Sequence, residues 1–229
     1  MSFVHFIYMH SAISGQSLPQ VEVDAVRAAV QTLPGLKRGL LYTPAMAKDF
    51  YTDDGPSPSL ALQLYYDDLP TLEATLRAGG TLSVTAKSLS VTEVDHQVMV
   101  GRSYPVTDAT WQPDGDEPRC AYLVHYPGEA EDFNAWLDHY LDHHPQIMRN
   151  FPRIREIEIY TCADWRDTLG WTRKTYMQRN RLVFDSATAL EGALNSPVRH
   201  DMRADFEVFP KFTGSNIHYP MHLEDVDLT

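Results

Sequence analysis

Apolar residues alternate along the first ten positions, in the run FVHFIYM (Phe3 to Met9), and then give way to apolar residues three and four apart, among them Val26, Val30 and Leu33. Alternation with period two marks a strand, and the wider spacing marks one face of a helix. Two more strand-like runs follow, joined by a loop rich in Gly, Pro and Asp. A second helical pattern and a last strand ending in Tyr104-Pro105 complete the set. The order is βαββαβ, the ferredoxin-like split unit.

The same order then repeats. Sliding the chain by 118 positions lays Phe3–Met9 on Ala121–Pro127 with Tyr8 on Tyr126, and LPGLKRGLLYT (Leu33 to Thr43) on FPRIREIEIYT (Phe151 to Thr161). The same offset matches Leu64 to Leu182, Asp67 to Asp185 and Leu72 to Leu190. At the end the register slips by three, so that SYPV (Ser103 to Val106) answers HYPM (His218 to Met221). A fixed long-range offset is the mark of an internal duplication.

A split βαββαβ sheet carries helices on one face and leaves the other open. The sister sheet is the simplest cover, so the expected fold is α+β: two tandem ferredoxin-like βαββαβ repeats closing one barrel with the helices outside. The repeats span 1–106 and 119–229, and the polar run Thr107 to Pro118 links them. Two hairpin loops, Pro44 to Pro58 and Ala163 to Thr172, exceed the usual two to five residues and are candidate lids.

Composition narrows the partners. The 229 residues carry a formal charge of −12, which repels phosphate backbones and anionic lipid, so neither nucleic acid nor membrane is expected. No stretch of 18 apolar residues occurs, and Met1 to His10 lacks the basic flank and cleavage site of a signal peptide, so the cytoplasm is the expected location. Cys120 and Cys162 sit in apolar runs without metal-ligand spacing and read as buried, reduced thiols. No metal or cofactor is expected, and the chain is expected to be a monomer or a homodimer.

The duplication supplies its own control. A residue type shared by both halves serves the fold, whereas a polar intrusion in one half marks a candidate site. In the helix from about Glu129 to Met148, Phe133, Trp136, Tyr140 and His144 recur at helical spacing, so His144 lies in the apolar stripe where the first half has Val26. Pro145 is expected to end the helical turn beside it. His139 and His143, four apart, read as solvated surface rather than a metal pair, with His143 a possible substrate contact. His5 and His125, by strand parity, approach a common cavity from the two halves, and Tyr126 supplies a phenol as acid. In the third strand the second half has Arg179 and Arg181 where the first has Ala61 and Gln63. Two guanidiniums on one strand face suit a carboxylate ligand or, equally, pairing with Glu156 or Glu158 on the neighbouring strand. By parity they point into the barrel and His144 towards the helices.

The run WLDHYLDHHPQIMRNFPRIREI (Trp136 to Ile157) resembles the helix and following strand of EthD-like proteins, a branch of the dimeric α/β barrel superfamily. Their helix ends in His-x-Pro or His-Ala-Pro; here His144 falls on the motif histidine with Pro145 directly after it. Only the second half carries the motif. The resemblance implies the barrel fold, and among the superfamily's activities are cofactor-independent oxygenases, cyclases, decarboxylases, isomerases and haem proteins.

The leading expectation is a cofactor-independent isomerase acting on a small hydroxy-dienoate or related carboxylate from aromatic catabolism. His144, His125 and Tyr126 would do acid/base work, and Arg179, Arg181, His5 and His143 would hold the substrate. Protonation of a dienol on carbon permits rotation about the resulting single bond before the proton is removed again. The alternatives are a cyclase, decarboxylase or lyase acting on a polyketide-like phenol in an apolar pocket without a carboxylate clamp, a haem protein, and a non-catalytic small-molecule binding module. The first half reads as scaffold and the second as the working half.

Overall fold

The opening alternation forms β1 (Ser2–Ser11), followed by α1 (Gln20–Gln31), β2 (Arg38–Pro44) and β3 (Leu60–Tyr66). The second helical pattern is two short helices, α2 (Leu69–Thr75) and α3 (Thr81–Ala86), before β4 (Val91–Tyr104). The break falls at Gly79-Gly80, where the backbone of Gly79 takes a positive φ of 79°. The second half follows with β5 (Cys120–Tyr126), α4 (Phe133–Met148), β6 (Ile154–Cys162), the two-residue β7 (Thr172–Arg173) and β8 (Gln178–Phe184). It ends with α5 (Ala187–Leu194), α6 (Pro197–Glu207) and β9 (Ile217–Val226), Pro197 opening α6 at its first turn. The computed structural model describes residues 2–228; Met1 and Thr229 lie outside the described residues.

The strands run β4-β1-β3-β2 in the first half and β9-β5-β8-β6 in the second, and β2–β9 and β4–β6 pairing joins the two into one closed antiparallel barrel of eight strands. β7 adds a short parallel pair on β4. This is the expected single-chain dimeric α/β barrel. Closure removes every sheet edge from the eight strands. Among the described residues, no helix is long and apolar enough to cross a membrane.

One strand parity fills the barrel, with Val4, Phe6, Leu40, Met99, Leu123, Val183 and Met221 at its centre. The other parity packs beneath helices, Leu62 and Leu64 against Val26 and Val30 of α1, and Val124 and Leu182 against Trp136 and Tyr140 of α4. Strands buried on both faces carry little polar alternation, and this has a consequence for the repeat.

The offset of 118 holds for β3 and β8, where Ala61 matches Arg179, but not for the first strand. Tyr8 lies opposite Ala61 and His125 opposite Arg179, so His125 is the counterpart of Tyr8, 117 positions on. A one-residue slip reverses every side chain of a strand. Tyr8 therefore points into the barrel while Tyr126 packs under α4, and the match of one tyrosine to the other is corrected. The last strand is also re-registered. Tyr8 pairs with Asp95 and His125 with Ile217, an offset of 122, which makes His96 the counterpart of His218 and separates Ser103–Val106 from His218–Met221.

The long loops cross over. Residues 45–59, from the first half, lie on the helices of the second, where Asp49 pairs with Arg199 of α6 at 2.9 Å. Residues 163–171, from the second half, lie on the first, where Trp165 and Trp171 pack against His96 at ring separations of 4.9 and 5.3 Å. Each half thus roofs its sister. Two smaller expectations are corrected. Cys162 is exposed at the end of β6 while Cys120 is buried, both as free thiols. Pro145 lies inside α4, which continues through Met148, so it costs one backbone hydrogen bond without ending the helix.

Candidate functional site

α4 starts where Asp132 caps the Ala135 N–H at 3.0 Å, and this sets which residues face the sheet. Trp136, Tyr140, His144 and Met148 form its buried face. His144 lies between the rings of Tyr140 and Phe209, 4.7 and 4.9 Å away. Its Nδ1 contacts Asp205 Oδ2 at 2.5 Å, and Asp205, on α6, also takes His139 Nε2 at 3.3 Å. Since an ionised carboxylate only accepts, the proton of His144 sits on Nδ1. Burial lowers the pKa of His144 despite Asp205, so the imidazole is neutral near pH 7 and its Nε2 lone pair is free. Burial pushes Asp205 upwards, but the hydrogen bonds from His144 and His139 work against it, and the carboxyl stays below its usual range.

His144 lines a narrow cavity of about 50 Å³ between β5, β8 and the helices, open to solvent at one side. Val124, Leu182, Phe151, Met202 and Phe206 supply apolar walls, and Tyr126, Asn180 and His218 the polar points. Burial pushes the Tyr126 phenol up to about 12, so it keeps its proton. Asn180 donates to the Tyr140 hydroxyl, which orients its amide. His218, stacked on Tyr122 at 5.1 Å, is bonded through Nδ1 to Asp54 at 2.6 Å. The cavity therefore has two histidine–carboxylate pairs, one from the helices and one completed by the crossed-over loop.

That loop forms the remaining wall. Asp49 accepts both Arg199 Nε contacts at 3.0 Å, the Tyr122 hydroxyl at 2.9 Å and the Thr52 hydroxyl at 3.1 Å. Thr52 itself lines the cavity. The cavity draws on both halves of the chain, because Asp49, Thr52 and Asp54 come from the half expected to be scaffold. The first half's matching space is filled: His5 Nε2 and His96 Nδ1 are 3.0 Å apart, and Trp165 and Trp171 occupy the room beside them.

The other residues singled out in the sequence do not converge on His144. His5 faces the helices of the first half and His125 faces the barrel interior, so the two share no cavity. The parity argument that joined them used the 118 register. His143 is exposed, with Nδ1 donating to the His139 carbonyl at 2.8 Å, and does not line the cavity. Arg179 and Arg181 point into the barrel. Arg181 is fully buried and pairs with Glu158 and Glu156, the Nε donating to Glu158 at 3.0 Å, so its carboxylate partners are internal. Of the seven residues, His144 and Tyr126 share the cavity. The sequence reading missed Asp205, His218 and Asp54. Asp205 lies on a largely polar helix and Asp54 in a loop far along the chain, and no local spacing links either to its histidine. Among the described residues, no three His, Cys, Asp or Glu side chains gather as a metal site.

No family model and no curated protein sequence matches the chain. Solved structures do. An anthrone oxidase-like protein superposes with a TM-score of 0.65 over 100% of this chain and 95% of its own, at 11% identity. A candidate monooxygenase from Fusobacterium nucleatum subsp. nucleatum ATCC 25586 gives 0.61 over 99% and 94%, at 9% identity. Another from Lactobacillus acidophilus NCFM gives 0.57 over 99% and 96%, at 10% identity. At such identities the likeness shows a common fold.

Proposed function

We propose that this protein is an enzyme that removes a proton from a flat, enolisable small molecule, a polyketide-like phenol or its keto tautomer, with His144 as general base. The observation that carries the reading is the Nδ1 contact of His144 to Asp205, which leaves the Nε2 lone pair as the basic site of a histidine that lines an aromatic-walled cavity. A base of lowered pKa in a mostly apolar pocket is suited to carbon-acid or phenol deprotonation. Tyr126, still protonated, donates to the enolate oxygen as charge develops there. His218, held by Asp54, is the second acid/base group.

The fate of the enolate then sets the reaction. Return of the proton to another carbon is isomerisation, attack on an internal carbonyl is cyclisation, and capture by dioxygen as co-reactant is oxygenation. The fold shared with an anthrone oxidase-like protein and two candidate monooxygenases supports a substrate of the aromatic ketone class, and the helix end that resembles EthD-like proteins agrees with a small-molecule enzyme of this fold. Arg199 is committed to Asp49, which favours a substrate without a carboxylate over the hydroxy-dienoate. The dienoate isomerase is the second reading, supported by Arg203. That residue lines the cavity, and its one ion pair among the described residues, with Glu207 at 2.8 Å, is exposed and weak enough to exchange for a substrate carboxylate.

The test reads the step common to all three outcomes. Anthrone, a tricyclic ketone with an acidic methylene, is incubated with the protein in anaerobic D2O, and a hydroxy-dienoate is run in parallel. The wild type is expected to accelerate deuterium exchange on anthrone, and His144→Ala to abolish it with binding retained. Exchange that persists in His144→Ala overturns the base, and exchange on the dienoate alone selects the isomerase. Readmission of air with measured oxygen uptake separates oxygenation from tautomerisation.

A further inference from the structure

Arg179 is 1% exposed, deep in the barrel, and unlike Arg181 it has no carboxylate partner among the described residues. Its Nε donates to the Gln97 carbonyl oxygen at 3.2 Å and its Nη1 to His125 Nδ1 at 2.8 Å, while Nη2 has no partner. The guanidinium cannot accept, so His125 Nδ1 must, and the His125 proton is thereby placed on Nε2. That Nε2 is also buried and unpartnered, as is the hydroxyl of Tyr8. The Tyr8 and His125 rings are 5.2 Å apart, and the Arg179 carbon lies 4.9 Å from the Tyr8 ring, so the three groups are neighbours. Tyr8 and His125 are counterparts in the two halves, which puts Arg179 between equivalent strands.

Among the described residues, three buried groups thus present N–H or O–H donors with no acceptor, around a guanidinium that has no ion pair, the buried carboxylate opposite Tyr8, Asp95, being taken by His10. Water can satisfy a donor but not the charge, and burying an unpaired ion costs several kcal/mol. We propose that the barrel interior beside Arg179 holds a small monoanion, a carboxylate of formate or acetate size, in a site separate from the His144 cavity. One carboxylate oxygen accepts from Arg179 Nη2 and the other from the Tyr8 hydroxyl, while His125 positions the guanidinium through Nδ1, its own Nε2–H pointing away from it. Phe6 and Tyr176 flank the guanidinium at 5.5 and 4.5 Å and restrict the occupant to a small one. Partly exposed Tyr176 and Tyr219 stand at the barrel mouth above it.

The experiment is a thermal melt of the intact protein in rising sodium formate, with sodium gluconate at equal ionic strength as a carboxylate too large to enter. A ligand bound only by the folded state raises Tm saturably. Formate is expected to do so and gluconate not. Tyr8→Phe keeps the charge and removes one donor, and is expected to weaken the formate midpoint by about tenfold. Arg179→Met is expected to abolish the formate response. If Arg179→Met does not fold, the Tyr8→Phe midpoint decides alone. Equal responses to formate and gluconate, no saturable response, or an unchanged midpoint in Tyr8→Phe overturns the site and leaves water as the occupant.

Discussion

Asp205 receives the Nδ1 proton of His144 at 2.5 Å across the α4–α6 contact, and that one bond sets which nitrogen of the imidazole is available to a substrate. In Asp205→Asn the amide can donate to Nδ1, which moves the proton to Nε2 and turns the base into a hydrogen-bond donor. The expected loss is roughly 10²- to 10⁴-fold in kcat, the usual contribution of a positioned base, with KM little changed. Steady-state kinetics on a substrate found by the exchange assay, together with the nitrogen shifts of His144, check both parts. A large rise in KM at constant kcat would assign Asp205 to substrate binding instead.

The crossed-over loop is held chiefly by Asp49, whose side chain is 3% exposed and accepts from Arg199, Tyr122 and Thr52. Burial pushes its pKa up, but the hydrogen bonds and charge of Arg199 outweigh it and hold the carboxylate ionised. Asp49→Ala leaves the Arg199 charge nearly buried without a partner, a change that costs about 3–5 kcal/mol. Urea denaturation is expected to show that loss, lessened where the loop lifts and water reaches Arg199. Limited proteolysis should then cut within residues 45–59 faster than in the wild type.

How far the chain could be read without coordinates follows from what its strands bury. The repeat was legible because helices and turns punctuate it, and the asymmetry of His144 against Val26 stood out in an amphipathic helix, where a polar residue in the stripe is conspicuous. Strand register was not legible. β1 and β5 are buried on both faces, so neither parity is marked by polar residues, and a shared Tyr-for-Tyr match outweighed the true one-residue slip. The partners of the candidate site were hidden for another reason. Asp205 is 61 positions from His144 and Asp54 is 164 from His218, and only the loop crossover brings the second pair together.

Arg181 provides a control for the site. It is fully buried on the barrel side and bound to Glu158, which also accepts from the Tyr65 hydroxyl at 2.6 Å. Replacing it with methionine removes the cation and leaves Glu158 with the neutral hydroxyls of Tyr65, Tyr160 and Ser103. The expected effect is a loss of about 3–5 kcal/mol in stability. The same change leaves kcat per folded molecule unaltered, because the guanidinium lies across the sheet from His144. A fall in kcat of the size expected for Asp205→Asn would return Arg181 to the chemistry.

Acid should unfold this protein through its histidines before its carboxylates. His5, His96, His125 and His144 are buried, and burial lowers the pKa of each; for His96 the value is about 4, against roughly 6.5 in an unfolded chain. A neutral histidine in the fold that gains a proton on unfolding makes the unfolded state bind more protons. Stability from this source is therefore complete above about pH 6.5 and falls as pH drops below it. Each such group contributes a slope of about 1.4 kcal/mol per pH unit until its folded pKa is reached, so His96 alone accounts for about 3 kcal/mol between pH 6.5 and 4. Glu156, which the Arg181 and Arg38 charges hold down to about 2 against the effect of burial, adds its own loss only below the ordinary carboxylate range. Urea midpoints measured at pH 7.5, 6.0 and 5.0 test the order. The expected result in the wild type is a small fall from pH 7.5 to 6.0 and a steeper one from 6.0 to 5.0, with a shallower second step in His96→Gln. A midpoint that is flat down to pH 5 would mean that the buried histidines are already charged in the fold, and would remove the basis for treating His144 as a neutral base.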